Sequence, residues 1–387
     1  MQTQPNSRVI VLAAGGTGGH IFPAEALAEE MLKRGYTPHL VTDHRFHQYN
    51  KNSAEGVLGR IPIHTITAGS LGGGVLMRAK NGLGLMRGTF QARKILNELK
   101  PLAVVGFGGY PSFPTMAAAI LSKRATVIHE QNSVLGRVNR LFANRVKQLA
   151  TTYSDTRGLK NAPHVMTGNP VRGAIRALAN VAYPELASDG MLRLLVIGGS
   201  QGASVFSHVI PEAMKLLPPH VRARIRLDQQ CRAGEIEPVK KAYSELGMQV
   251  DLAPFFVDVA ARLASAHLVI ARAGASTVAE LTAAGRPAIL VPLPQATDNH
   301  QYYNAQAIED VGGGWVIAQD AFTPQVLADK IETLVMSPQR LTECAAAMHG
   351  IGRPDASAAL ADCVLAAAGI MPRTNGNGAP APVEKAA

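Results

Sequence analysis

Two stretches of the chain share one hydrophobic plan. VIVLAAGGTGGHIFPAEALAEEML, from Val9 to Leu32, opens with a continuous apolar run, turns through glycines and continues with apolar residues at helical spacing. LRLLVIGGSQGASVFSHVIPEAMKLL, from Leu192 to Leu217, repeats the plan. An apolar run without alternation marks a strand buried on both faces of a parallel sheet. After the first opening, HLVTD, LAVVGFGG and ATVIHEQN read as strands; after the second, ARIRLDQQ, AHLVIARAG and PAILVPLP do. Strands alternating with helical segments predict βαβ units. Two such openings predict an α/β chain with two Rossmann-like, doubly wound domains, at 1–175 and 191–350. The segment between Arg172 and Met191, with Pro184, Ser188, Asp189 and Gly190, reads as the boundary. A terminal helix within 351–370 is expected to pack back on the first domain, and the Gly/Pro/Ala/Asn-rich 371–387 to be a disordered tail.

Composition narrows the class. The 387 residues are 47% hydrophobic and 17% charged, which suits two globular domains. Three cysteines without a CxxC pair argue against a disulfide framework or a structural zinc site. The polar N-terminal MQTQPNSR does not read as a signal peptide, and no run of 18 apolar residues is present to span a membrane. Charge is uneven. Residues 1–175 hold 21 of the 38 Lys and Arg but 8 of the 28 Asp and Glu, a net +13, against −3 for the rest. The first half is therefore expected to meet something anionic: nucleic acid, an acidic lipid surface or a phosphorylated substrate.

Each glycine-rich loop follows a strand, so all of them belong at the carboxyl edge of a sheet, where open α/β sheets bind ligands. With two domains facing each other, that edge becomes an interdomain cleft. GGTGGH (Gly15–His20) fits neither the dinucleotide fingerprint nor a P-loop, and it ends in a titratable imidazole. FGGYPSFP forms a second glycine corner, and HEQN (His129–Asn132) ends the next strand with four polar residues. In the second half, IGGSQGA and ARAGASTVAELTAAG suggest a nucleotide diphosphate site. Ser200 adds a hydroxyl, and Ser276 or Thr277 would cap a helix beginning near Val278. Glu280 either complements that helix's dipole or accepts from ribose hydroxyls.

GGTGGHIFPA, FGGYPS, HEQN, GNPVR, GGSQGA, RAGASTVAE and DNHQYYNA occur in the order and at about the spacing of one family. Over roughly residues 8 to 370 the chain resembles MurG, the bacterial UDP-N-acetylglucosamine–lipid I N-acetylglucosaminyltransferases of peptidoglycan synthesis. The resemblance implies the GT-B fold, with the active site in the interdomain cleft. It implies that the first domain binds the acceptor, lipid I (undecaprenyl-pyrophosphoryl-N-acetylmuramyl-pentapeptide), and the second the donor, UDP-N-acetylglucosamine. Roles in cell wall biogenesis, cell shape and cell division follow from it, as does a peripheral position on the cytoplasmic face of the cell membrane.

Carried over by motif, Thr17, Gly18 and Gly19 are expected near the transferred sugar and phosphates, Asn132 at the sugar and Arg172 at the donor nucleotide. Ser200, Ser276 and Thr277 would hold phosphate. Phe256 would meet uracil through its backbone and Glu280 the ribose. Gln301 would meet the donor sugar hydroxyls, with His300 and Asn304 beside it. Reaction would invert the anomeric carbon in one displacement by the acceptor's 4-hydroxyl, with His20 as the base. Helix N-termini and loop amides would meet the charge on departing UDP. No Asp-x-Asp lies between strands, so neither a metal nor another cofactor is called for.

The segment Leu71–Leu96 mixes Leu71, Val75, Leu76, Met77, Leu83, Leu85 and Met86 with Arg78, Lys80, Arg87, Arg93 and Lys94. It reads as an interfacial helix on an anionic membrane surface, or as a core helix with a solvated basic face. Three other classes compete. A UDP-N-acetylglucosamine 2-epimerase would share architecture and donor but has no need of GGTGGHIFPA and the basic segment. A nicotinamide dehydrogenase could use Asp43 on a ribose, but the glycine spacing fails. A nucleic-acid-binding protein rests on charge alone, with 5% aromatic residues and no stacking platform, and no nucleic-acid partner is expected.

Overall fold

The computed structural model describes residues 7–46, 56–69, 75–160, 162–199 and 202–370. Ser200 and the 371–387 tail lie outside them. The chain divides into two compact units, residues 1–172 with 355–387, and residues 173–354.

Unit 1 holds a seven-stranded sheet in the order β3-β2-β1-β4-β5-β6-β7. Its strands are β1 Val9–Ala13, β2 Thr37–Thr42, β3 Ile63–Thr65, β4 Ala103–Gly106, β5 Thr126–Glu130, β6 Gln148–Thr151 and β7 Val165–Met166. Every pairing is parallel, with Leu12 opposite Leu40 on one side and Val105 on the other. The continuous apolar run of β1 has the cause the pattern predicts. Ile10 and Leu12 join one core with Leu27 and Met31 of helix Gly18–Lys33, while Val11 joins another with Ala92, Leu96 and Met116. Helix Ala356–Ala367 completes the first of these cores through Leu360, Ala361 and Val364. Arg34 pins it by pairing with Asp362 and donating to Ala358 O at 3.2 Å.

Unit 2 holds six parallel strands in the order β10-β9-β8-β11-β12-β13. These are β8 Leu192–Ile197, β9 Ile225–Gln230, β10 Val250–Ala253, β11 Leu268–Ala271, β12 Ala288–Leu290 and β13 Gly314–Val316. In both sheets the first strand is flanked by the second on one side and the fourth on the other. That reversal leaves a crevice at the carboxyl ends of β1/β4 and of β8/β11. The glycine loops of each half emerge there.

The basic amphipathic segment forms helix Val75–Leu99. Residues 71–74, and the side chains of Val75 to Asn81, lie outside the description, so Leu71, Val75, Leu76, Met77, Arg78 and Lys80 receive no account. Farther along, Leu85, Ala92 and Leu96 are buried, which removes Leu85 from the interfacial set and gives it to the core. Leu83, Met86 and Phe90, spaced three and four apart, stand outward at 66%, 58% and 70% exposure. Among the described residues no helix is long and apolar enough to cross a membrane.

Candidate functional site

In unit 1 the GGTGGH loop leaves β1 against the turn that precedes helix Ser112–Leu121. A methyl group on Gly15 would stand 2.8 Å from both Pro111 Cβ and Thr42 Oγ1, so the approach is open to glycine alone. Helix Gly18–Lys33 begins at once, with Thr17 in the N-cap position and no side-chain cap. The N–H groups of Gly18 and Gly19 therefore lie in a first turn for which the helix has no carbonyl of its own. Thr17 Oγ1 and His20 Nδ1 are 3.1 Å apart. The His20 ring lies over the second glycine corner, where a methyl on Gly109 would be 3.3 Å from its Cε1 and Nδ1. GGTGGH and FGGYPS, distant in sequence, thus meet around the imidazole.

The four residues of HEQN divide. His129 is fully buried, with Nε2 2.9 Å from Gly168 O and Nδ1 3.2 Å from Gln131 Nε2. With Nε2 donating to the carbonyl and Nδ1 accepting from the amide, the ring is neutral, and burial lowers its pKa to about 4. Glu130 is 1% exposed and takes N–H donors on both oxygens. Oε1 accepts from Asn132 N at 3.1 Å and Asn132 Nδ2 at 3.2 Å; Oε2 accepts from Gly136 N and Asn139 Nδ2, both at 2.8 Å. Burial raises the carboxyl's pKa, and these donors from Gly136, Asn139 and Asn132 counter it. Asn139 also reaches the glycine corner, its Nδ2 3.2 Å from where a methyl on Gly108 would be. One chain of contacts therefore runs from Asn132 through Glu130 and Asn139 to Gly108. The adjoining Gly109 lies under His20.

Arg172 is the last residue of unit 1's first segment. Its guanidinium lies 5.1 Å from the Phe22 ring centroid, and its charge reaches Glu25, whose carboxyl burial raises. It is anchored on helix Gly18–Lys33, with the GGTGGH loop.

In unit 2, β8 runs into Gly198 and Gly199. A methyl on Gly198 would stand 2.6 Å from Ala203 N, so the loop folds tightly onto the start of helix Ser204–Leu216. Gln230 braces it: Oε1 accepts from Gly198 N at 3.0 Å, and Nε2 donates to Gly199 O at 3.1 Å and Pro254 O at 3.0 Å. The Pro254 bond ties in the segment carrying Phe256, which is buried beneath the Arg262 guanidinium at 3.9 Å. Arg262 is held by Asp228, Asp251 and Asp258 at 3.0, 2.7 and 2.9 Å.

The second loop corrects the expected helix start. Helix Ala275–Ala284 opens with Gly274 as its N-cap, three residues before Val278. Ser276 and Thr277 are first-turn residues rather than caps, because Gly274 already adopts the extended backbone an N-cap needs, φ −64° and ψ 144°. Ser276 Oγ is buried without a hydrogen-bond partner. Glu280, four residues on, shares its face. Arg272 ends β11 by donating to Val291 O and Pro292 O at 3.1 and 3.2 Å and to Gln319 Oε1 at 2.6 Å. Asn304, buried, donates to Ala273 O at 3.1 Å. His300 Nδ1 lies 2.7 Å from Thr297 O, and Gln301 Oε1 accepts from Leu293 N at 3.0 Å. Both residues begin helix His300–Glu309.

Two family models match this chain. The glycosyltransferase family 28 N-terminal domain covers residues 10–151 and the family 28 C-terminal domain residues 193–360. A Rhodospirillum centenum protein is 49% identical over 376 residues, 96% of this chain and 97% of its own. It bears the name UDP-N-acetylglucosamine–N-acetylmuramyl-(pentapeptide) pyrophosphoryl-undecaprenol N-acetylglucosamine transferase. The chain belongs to the MurG family. A Paramagnetospirillum magneticum protein of the same name is 50% identical over 372 residues, 95% of this chain and 98% of its own. The crystal structure of Acinetobacter baumannii MurG superposes with a TM-score of 0.75 at 29% identity, over 92% of this chain and 99% of that one. A UDP-GlcNAc 2-epimerase from Neisseria meningitidis shares the fold alone, with a TM-score of 0.62 and 14% identity over 92% of this chain and all of its own. The two-sheet architecture is the GT-B fold of the MurG family. Within this MurG-family chain HEQN marks His129 and Glu130, but their buried partner Asn139 escapes motif reading. Its signal is physical: the buried Glu130 that closes its strand must be satisfied internally, and Asn139 supplies one of the donors.

Proposed function

We propose that the chain is the inverting transferase that moves N-acetylglucosamine from UDP-N-acetylglucosamine to the 4-hydroxyl of the N-acetylmuramyl sugar in lipid I. The product is lipid II, for peptidoglycan synthesis. The observation that carries this reading is the His20 imidazole, 3.1 Å from Thr17 Oγ1 and seated on the FGGYPS corner at the carboxyl edge of unit 1. An alcohol nucleophile needs a base within hydrogen-bond reach, and His20 takes its proton. Thr17, Gly18 and Gly19 line the reacting sugar's side, and Asn132 holds a sugar polar group.

Unit 2 binds the donor. The first turn of helix Ala275–Ala284, with Ser276 and Thr277, meets the diphosphate, as does Ser200; Glu280 takes the ribose. The backbone at Phe256 meets uracil, Arg172 the nucleotide, and His300 and Gln301 the donor sugar. Amides and helix dipoles aimed at the leaving diphosphate stabilise its charge without reorganising. The outward Leu83, Met86 and Phe90, beside Arg87, Arg93 and Lys94, rest on an anionic cytoplasmic membrane face, where a polyprenyl acceptor resides.

Transfer of radiolabelled N-acetylglucosamine to a lipid I analogue, in detergent with EDTA, tests the reading. Labelled disaccharide-lipid is expected. UDP binding without product would retain the donor site and overturn the acceptor assignment.

A further inference from the structure

We infer that Gln230 is a positioning residue for donor recognition: its one side-chain amide sets the loop assigned to the diphosphate at a fixed distance from the segment assigned to uracil. The inference rests on the transferase reading above, in its placing of the donor on unit 2.

β9 lies between β8 and β10. Gln230 is its last residue, in register with Ala253 at the end of β10. It therefore stands between the segments that leave the two neighbouring strands, 198–199 after β8 and 254–256 after β10. Its amide serves both. Oε1 accepts from Gly198 N at 3.0 Å, and Nε2 gives its two hydrogens to Gly199 O at 3.1 Å and Pro254 O at 3.0 Å. One N–H and two carbonyls arranged in this way suit a primary amide. A carboxylate would turn an oxygen on two carbonyls, and an apolar side chain would leave all three groups unmet. Gln230 is 6% exposed, so bulk water does not repair a mismatch.

Each segment is anchored separately. Phe256 is buried under Arg262, which Asp228, Asp251 and Asp258 hold. On the other side, Ser204 Oγ donates to Glu235, and Ser207 Oγ lies 3.3 Å from Cys231 Sγ, which ties helix Ser204–Leu216 to the chain that follows Gln230. The Gln230 amide joins the two assemblies. A ligand with a base at one end and a diphosphate at the other needs both segments at the right separation. A ligand that ends at the nucleoside does not.

Calorimetric titration of the full chain with UDP and with uridine tests it, on the wild type, Gln230→Met and Gln230→Glu. Gln230→Met keeps the length of the side chain and loses the amide. It is expected to weaken UDP binding about 30-fold and uridine binding less than about 3-fold, because only the longer ligand needs both segments in place. Gln230→Glu should match Gln230→Met at about pH 7.5. At about pH 5.5 its UDP affinity, taken relative to wild type at the same pH, should recover about 5-fold or more. Burial raises the new carboxyl's pKa, and the protonated acid again donates to one carbonyl. Gln230→Met has no such proton and should show no recovery. Equal losses for UDP and uridine, no loss of UDP binding, or a flat pH response in Gln230→Glu would each overturn the proposal. Should Gln230→Met lose its thermal unfolding transition, the pH response of Gln230→Glu decides alone. A wild-type chain that binds neither ligand rejects the donor assignment itself; wild-type binding with any of the overturning variant patterns rejects this inference alone.

Discussion

His20 and His129 show how place divides two imidazoles. His20 sits in the first turn of helix Gly18–Lys33, just past the glycine loop, with its ring against Thr17 and Gly109, where the proposed reaction needs a base for the attacking hydroxyl. His20→Ala is expected to lower kcat by about 100-fold or more while KM for UDP-N-acetylglucosamine stays near the wild-type value; steady-state transfer kinetics check this, and near-normal turnover would remove His20 as the base. His129 is structural. Its pKa falls from 6.5 to about 4 in the folded chain through burial, so the unfolded chain binds the extra proton. Stability contributed by the neutral ring is present above pH 6.5 and lost as pH falls toward 4. Thermal melts should show Tm dropping across that window, with a shallower slope in His129→Gln. The sequence could mark both residues as polar at a strand's carboxyl end. It could not say which would be buried, because burial of His129 depends on Gly168 O, 39 residues away.

Helices and strands were the most readable level. Continuous apolar runs became strands buried on both faces, and glycine turns became helix starts. The start of helix Ala275–Ala284 was misread because serine and threonine advertise a cap, whereas glycine, lacking a side-chain acceptor, advertises nothing. Its other end is equally hidden in the sequence. Arg286 is 1% exposed and donates to Leu263 O, Ala264 O, Ala284 O and Gly285 O at 2.6, 3.1, 2.6 and 3.3 Å. Its charge answers the carboxyl ends of helices Val259–Ser265 and Ala275–Ala284 together. Arg286→Met would strand those carbonyls and should cost about 3 kcal/mol in urea unfolding. A loss under about 0.5 kcal/mol would show that water replaces the guanidinium.

Over the whole chain, the basic excess is confined to the first half, where helix Val75–Leu99 turns Leu83, Met86 and Phe90 outward. Composition and pattern marked the segment, but Leu85 turned inward, and Phe90, which the pattern did not single out, outward, because three-and-four spacing leaves the helix's rotation undetermined until its neighbours are known. Replacing Leu83 and Phe90 with Glu should lower binding to anionic vesicles about 10-fold or more while sparing turnover in detergent. Unchanged co-flotation with vesicles would end the membrane assignment.

Unit 1 is interrupted: all of residues 173–354 are made before the helix that covers Ile10, Leu12, Leu27 and Met31. During synthesis the earlier-made unit must wait for the later one, its apolar face unsealed while unit 2 emerges. The ribosome thus delivers a finished second unit beside an unfinished first. The nascent chain's exposure to chaperones and to aggregation is set by the arrival of twelve residues, Ala356–Ala367, near its end.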